Sequence, residues 1–360
     1  MLATGLQTVV GNAMAKDFLA DRTILITGGT GSFGRRFTET VLARHRVRKL
    51  IILSRDELKQ SEMAQAFGDH PALRFFLGDV RDRDRLMRAF QGVDYVVHAA
   101  ALKQVPAAEY NPWESVRTNV IGAQNVIDAA IERGVRRVVA LSSDKAANPV
   151  NLYGATKLVS DKLFVAGNTY ASGGETALAV VRCGNVMGSR GSVVPVFRKL
   201  RAKGSIPITD RRMTRFWISL DQAVAFVLRA LARMRGGEIF VPKLPSLRIV
   251  DLAQAVAPEC AIEEVGIRPG EKLHEMMITV EDSRKSVEYD DHFVIQPAFS
   301  WWSDEVGLEI GGRPVPEGFV YASNTNDRWL SMEDLRVLLD DEPAAARPNG
   351  RSGHAAAAPL

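Results

Sequence analysis

Tyr153 and Lys157 stand four residues apart in a stretch whose apolar residues recur at helical spacing, so phenol and ammonium share one helix face. A lysine ammonium beside a phenol lowers the phenol's pKa, and the tyrosine can then exchange a proton with a hydroxyl while hydride leaves the same carbon. Ten residues upstream of Tyr153, an apolar run ends in Ser142-Ser143-Asp144-Lys145. That run-off sets a carboxylate, an amine and two hydroxyls side by side. A Tyr-x-x-x-Lys pair alone is also an ordinary surface helix pair, so its company decides the reading.

That company begins with Thr27-Gly28-Gly29-Thr30-Gly31-Ser32-Phe33-Gly34. Glycines at 28, 31 and 34 between a strand and a helix let the backbone turn tightly and approach a pyrophosphate, with the helix N-terminus facing the anion. The loop and the reactive residues together point to a nicotinamide dinucleotide. The second apolar run ends Leu53-Ser54-Arg55-Asp56, with Lys59 one turn on. An acidic residue here binds a ribose diol, whereas an arginine neutralises a 2′-phosphate, so Arg55 with Lys59 favours NADP. Asp56 also fits as the N-cap of the next helix. Asp79-Val80, after the third run, falls over the adenine pocket, and Asp79 fits equally as a cap.

These groups need a frame that aims them. From Arg22 onward, short apolar runs alternate with amphipathic stretches: Thr23–Thr27, Leu50–Ser54, Arg74–Leu77, Tyr95–His98, Arg137–Leu141 and Ala177–Arg182. Each is too uninterrupted to be half exposed, which predicts parallel strands covered on both faces. Phe33–Arg44, Trp113–Arg133 and Leu152–Val165 read as the intervening helices. Repeated strand–helix alternation predicts right-handed βαβ units in a doubly wound α/β (Rossmann) sheet, whose strand ends form the ligand crevice. After about residue 186 glycine and proline become frequent and a long helix is predicted around Leu220–Met234, suggesting a smaller second domain. The division expected is an extension at 1–20, a nucleotide domain at 21–190 and a substrate domain at 191–340. The substrate domain is interleaved with the first around 215–245, and an Ala/Pro/Gly tail at 341–360 is too poor in large apolar residues to stay ordered.

Composition excludes other classes. In 360 residues, 46 Lys+Arg against 42 Asp+Glu leave +4, a weak field without a basic face for nucleic acid. The nearest basic cluster, Arg81 to Arg88, alternates with Asp82 and Asp84. Cys183 and Cys260 lack partners at metal-ligand spacing, so neither zinc nor a disulfide scaffold is expected, and a cytoplasmic setting fits. No apolar run reaches a membrane span.

The chain resembles the extended short-chain dehydrogenase/reductases and, within them, the inverting UDP-N-acetylglucosamine 4,6-dehydratases of pseudaminic acid biosynthesis. The resemblance runs from about Arg22 to Leu339. It is carried by Ser54-Arg55-Asp56-Glu57-Leu58-Lys59-Gln60, Ala99-Ala100-Ala101-Leu102-Lys103, Ser143-Asp144-Lys145-Ala146-Ala147-Asn148-Pro149 and Tyr153-Gly154-Ala155-Thr156-Lys157. Gly188-Ser189-Arg190-Gly191-Ser192, Met213-Thr214-Arg215-Phe216-Trp217 and Arg268-Pro269-Gly270-Glu271-Lys272 complete it. Asp144-Lys145 sets it apart from epimerases and simple reductases, and Tyr153 from larger membrane-bound dehydratases that generally carry Met there.

The resemblance implies NADP as a cofactor that stays bound, UDP-N-acetylglucosamine as substrate, and a homo-oligomer, dimer or hexamer. It implies Tyr153 as the base at the 4-hydroxyl, assisted by Lys157 and Ser143. Lys145 is the base at carbon 5 and Asp144 the acid at the 6-hydroxyl, although spacing does not separate those two parts. The product is UDP-2-acetamido-2,6-dideoxy-β-L-arabino-hex-4-ulose. Cofactor contacts are implied for Gly28, Gly31, Ser32, Phe33, Gly34, Arg55, Asp56, Lys59, Asp79, Val80, Ala99, Lys103, Ser142, Tyr153, Lys157 and Val186. Substrate contacts are implied for Lys103, Asn185, Val194, Thr209, Arg215, Arg268 and Glu271. Arg215 and Arg268 are the pyrophosphate cations, Glu271 the ribose ligand. Cys183 departs from a common Tyr and Ser143 from a frequent Thr. Asn119 is expected to pin backbone to the sheet, and His98 to be a packed strand-end histidine.

Overall fold

The computed structural model describes residues 17–171, 176–189, 192–298 and 312–340. The first half alternates β1 (Thr23–Thr27), α1 (Ser32–Arg44), β2 (Lys49–Ser54), α2 (Glu57–Phe67), β3 (Leu73–Leu77), α3 (Arg83–Ala89) and β4 (Tyr95–His98). There follow α4 (Val105–Tyr110), α5 (Pro112–Val116), α6 (Gly122–Glu132), β5 (Arg137–Ser143), α7 (Leu152–Tyr170) and β6 (Ala177–Cys183).

The strands build a sheet in the order β3-β2-β1-β4-β5-β6, all parallel, and strand Ile239–Pro242 continues it in parallel beyond β6. Three further strands, His292–Ile295, Ser286–Glu288 and Arg313–Pro314, then add antiparallel edges. The doubly wound α/β sheet is thus present, in mixed rather than purely parallel form. The parallel strands are buried because successive residues serve two cores. Leu25, Val96 and Val138 face α6 and α7, while Ile24, Ile26, Val97 and Val139 face α1 and helix Leu220–Arg233.

Three sequence expectations need correction. β3 is not covered on both faces: it is the sheet edge, Phe75 and Phe76 are partly buried, and Leu77 is 44% exposed. Trp113–Arg133 is not one regular helix, because a π turn at Arg117–Ile121 separates α5 from α6. Such a bulge re-aims the side chains on its face, here Thr118 towards the strand-end cleft and Asn119 towards the loop after β4. Residues 17–20 are not an extension, since Leu19 is fully buried and the Phe18 ring lies 6.0 Å from that of Tyr95. The rest of the predicted extension, and the predicted tail, lie outside the described residues.

Chain beyond β6 builds a third core around Val194, Phe197, Trp217, Leu252 and Leu335, flanked by small two- and three-stranded sheets. Among the described residues no helix is long and apolar enough to cross a membrane.

Candidate active site

A cleft of about 680 Å³ opens along the C-terminal ends of β1, β2, β4, β5 and β6. Its floor is the glycine loop. Gly28 has φ +64°, and a Cβ there would come within 2.8 Å of the Ala100 backbone nitrogen, so loop and β4 end approach only with glycine. Gly31 caps α1 without a side-chain hydrogen bond and no acidic residue stands in the helix's first turn, which leaves the helix's positive end to a ligand. Thr30 Oγ1 and Ser54 Oγ, 2.8 Å apart, brace the loop against β2.

At the β2 end, Asp56 caps α2: its carboxylate accepts from Lys59 N at 3.0 Å and also pairs with the Lys59 ammonium. Arg55 keeps 54% of its side chain exposed, 3.7 Å from Asp79. Asp79 is partly buried, which would raise its pKa, but hydrogen bonds from the Arg81 side chain and backbone hold it below the usual carboxylate range. The cleft lining includes every residue implied for the cofactor, from Gly28, Gly31, Ser32, Phe33 and Gly34 through Asp79, Val80 and Ala99 to Lys103, Ser142, Tyr153, Lys157 and Val186.

At the opposite end the reactive groups converge. Ser143, the last residue of β5, enters a tight turn over Asp144–Ala146 against which α7 packs. Gly154 permits that packing, because a Cβ would fall 2.2 Å from the Lys145 carbonyl oxygen. Tyr153, Lys157, Ser143 and Lys145 line the cleft, whereas Asp144 lies fully buried beneath them. Its Oδ1 accepts from Ser143 Oγ at 2.9 Å and from Lys145 Nζ at 3.0 Å, and its Oδ2 has no hydrogen-bond partner.

Burial works to lower Lys145, but Asp144 and Glu275 outweigh it and hold the ammonium above its ordinary pKa. Lys103, across the cleft, is lowered by desolvation and then by Lys145. The expected depression of the Tyr153 pKa needs correction. Burial raises the phenol above its usual value, and what opposes this is the Lys145 charge and a hydrogen bond with Ser143 rather than Lys157. Lys157 is itself lowered by burial, with Asp161 one helical turn on pulling it back up. Asp161 of α7 and Arg182 of β6, a buried pair 3.4 Å apart, carry no sequence prediction. The i,i+4 spacing of Lys157 and Asp161 was the available signal.

Asn119 pins loop rather than sheet: it accepts from Leu102 N at 2.8 Å and donates to Leu102 O and Thr156 Oγ1. His98 is packed as expected, its Nδ1 2.8 Å from Thr27 Oγ1, and burial drives its pKa down to about 3. Cys183 lines the cleft, with its thiol pushed up to about 12 by burial and then by Asp144.

The implied substrate residues are divided. Asn185 and Lys103 line the cleft, and Asn185 Oδ1 is buried without a hydrogen-bond partner. Val194 is fully buried in the third core. Thr209 is buried and donates to Glu271 Oε2 at 3.2 Å, and Glu271 pairs with the exposed Arg268 at 3.3 Å. Arg215 is buried rather than a surface ion pair, and it donates to the carbonyls of Thr214, Leu273 and Lys272. None of these five residues lines the cleft. Arg190 and Gly191 lie outside the described residues.

A family model described as polysaccharide biosynthesis protein matches residues 24–297, which include every residue of the cleft lining. The chain belongs to this family. An inverting UDP-N-acetylglucosamine 4,6-dehydratase of Campylobacter jejuni is 53% identical over 326 residues, covering 89% of this chain and 97% of that protein. A UDP-glucose 4-epimerase of Rickettsia canadensis is 44% identical, covering 89% and 95%. Among solved structures, Pen from Bacillus thuringiensis superposes with a TM-score of 0.83 at 36% identity, covering 89% of this chain and 98% of that one. A dTDP-glucose 4,6-dehydratase of Streptomyces venezuelae with NAD bound follows, with a TM-score of 0.63, 27% identity, and 69% and 86% covered. The fold is the extended short-chain dehydrogenase/reductase fold, and the Streptomyces neighbour holds NAD.

Proposed function

We propose that the chain is a UDP-N-acetylglucosamine 4,6-dehydratase that inverts carbon 5, with NADP as its cofactor. The observation that carries it is Lys145, backed by Asp144, in the cleft wall beside Tyr153, in a chain 53% identical to such a dehydratase over nearly the full length of both. The glycine loop and the open end of α1 would hold the pyrophosphate. Arg55 would hold a 2′-phosphate, since the neighbouring Asp56 carboxylate is engaged as a cap and ion pair. When bound, the nicotinamide supplies a hydride acceptor for carbon 4 and a donor for carbon 6.

Tyr153 removes the 4-hydroxyl proton, its phenolate favoured by Lys145 and Ser143. A 4-keto group acidifies the carbon-5 hydrogen. Transfer of one proton from Lys145 to Asp144, 3.0 Å away, creates a neutral amine and a carboxylic acid, the base and acid that elimination needs. The amine takes the carbon-5 proton. Because Asp144 is covered, its proton reaches the departing 6-hydroxyl through Ser143, which bonds to it and lines the cleft. Water leaves and a carbon 5–6 double bond forms. Carbon 5 would then take a solvent-derived proton on the opposite face, which inverts it.

Incubation with UDP-N-acetylglucosamine in heavy water, followed by NMR, tests this. The expected product is a 6-deoxy-4-keto sugar with inverted, deuterated carbon 5 and no net reduced cofactor. A product that retains its 6-hydroxyl and differs at carbon 4 would overturn the proposal in favour of a 4-epimerase like the Rickettsia relative. A homo-oligomer belongs to the same proposal, supported by the exposed Tyr110, Trp113 and Val159 on α4, α5 and α7. Sedimentation that shows a monomer at micromolar concentration would remove it.

A further inference from the structure

One buried carboxylate reaches the reactive end from the far lobe. Glu275, just before strand Met276–Ile278, is 2% exposed. Its Oε1 lies 3.3 Å from Lys145 Nζ and 3.8 Å from Arg215 Nε, and its Oε2 lies 3.8 Å from Lys272 Nζ. Oε2 is buried without a hydrogen-bond partner. The backbone there is fixed, since Glu275 N donates to Ser323 Oγ at 2.9 Å and Glu275 O accepts from Ser323 N at 2.8 Å. Arg215 and Lys272 clamp the same segment, Arg215 to the carbonyls of Leu273 and Lys272, and Lys272 to the carbonyl of Ala147 in the reactive turn. Three cations, Lys145, Arg215 and Lys272, thus face this enclosed carboxylate.

Among the described residues, the carboxylates within 4 Å of Lys145 Nζ are Asp144 and Glu275. We propose that Glu275 is a positioning residue for proton transfer at carbon 5, holding the Lys145 amine at the cleft wall and stabilising its ammonium as it forms. The role in turnover rests on the dehydratase reading. The physical need is plain: once Asp144 has taken a proton for the leaving hydroxyl, it is neutral and no longer stabilises a cation. Glu275 takes no part in that transfer, so its carboxylate still faces Lys145 while Asp144 serves as acid. The other groups that act on Lys145 are Arg215, Lys103 and Lys272, all cations, and the Tyr153 phenol.

Glu275→Gln in the full chain tests this. Removal of one opposite charge a few ångströms away lowers an amine's pKa by about 1 unit. At fixed pH near neutrality, the free protein's Lys145 should therefore be acylated by an active ester about ten-fold faster, read by peptide mass spectrometry. In turnover, kcat should fall roughly 10- to 100-fold, with KM changed less than about two-fold. Glu275→Asp, which keeps the charge, should show smaller changes of the same sign and serves if the Gln variant does not fold. An unchanged acylation rate would overturn the inference, whatever happens to kcat. Acylation reads the Glu275–Lys145 coupling without substrate, so its failure is distinct from failure of the product assay.

Discussion

The two sides of the cleft use charge differently. On the nucleotide side the glycine loop presents backbone, and Arg55 stands open beside Asp79. On the substrate side the long cations and carboxylates are closed on one another: Arg215 on three carbonyls, Arg268 on Glu271, Glu271 on Thr209, Lys272 and Glu275 on the reactive turn. A site built from strand ends and a helix terminus is formed as soon as the sheet is. A site built from arginines is filled internally until an anion of better geometry displaces the carbonyls and carboxylates that hold it. The difference teaches that the cofactor side is formed with the sheet, whereas the proposed binding of UDP would have to exchange internal partners for phosphate.

The largest effect falls where the two sides meet. Tyr153→Phe should reduce kcat by about 10²–10⁴-fold while dinucleotide binding stays within about two-fold. Unchanged turnover in a rapid-quench assay would remove the phenol from the chemistry.

Arg215→Lys probes the closed side. Lysine cannot fork to three carbonyls, so stability should fall by about 2–3 kcal/mol, a melting-temperature loss of roughly 3–5 °C by calorimetry. An unchanged melting temperature with a raised KM would break the comparison, because Arg215 would then be a substrate ligand and not a strut.

Arg55→Ala sharpens the open side with the smallest effect. Affinity for NADP should fall about 10- to 30-fold and that for NAD should change little, since a charge-assisted phosphate contact contributes roughly 1.5–2 kcal/mol. Equal losses for both dinucleotides in titration calorimetry would show that Arg55 does not read the 2′-phosphate.

The sequence was most legible where the physics is local. β1 (Thr23–Thr27) and β4 (Tyr95–His98) stand where the apolar runs placed them, because a strand buried on both faces must be continuously apolar. β3 misled because Leu73-Arg74-Phe75-Phe76-Leu77 is as aromatic as a buried strand, and an edge position is a property of the whole sheet. Glu275 was invisible for a similar reason: it is 130 residues from Lys145, and no spacing rule joins them.

The sequence by itself determined the order of elements, the glycine loop and the shared helix face of Tyr153 and Lys157. Each follows from hydrophobic period, φ freedom or helical pitch within about ten residues. Only the tertiary structure decided which charges are open and which are engaged. It buried Asp144 under Lys145, folded Glu275 back against that amine, and closed Arg215 onto three carbonyls. Burial and the proximity of distant charges set protonation, and both are properties of packing that no local pattern encodes.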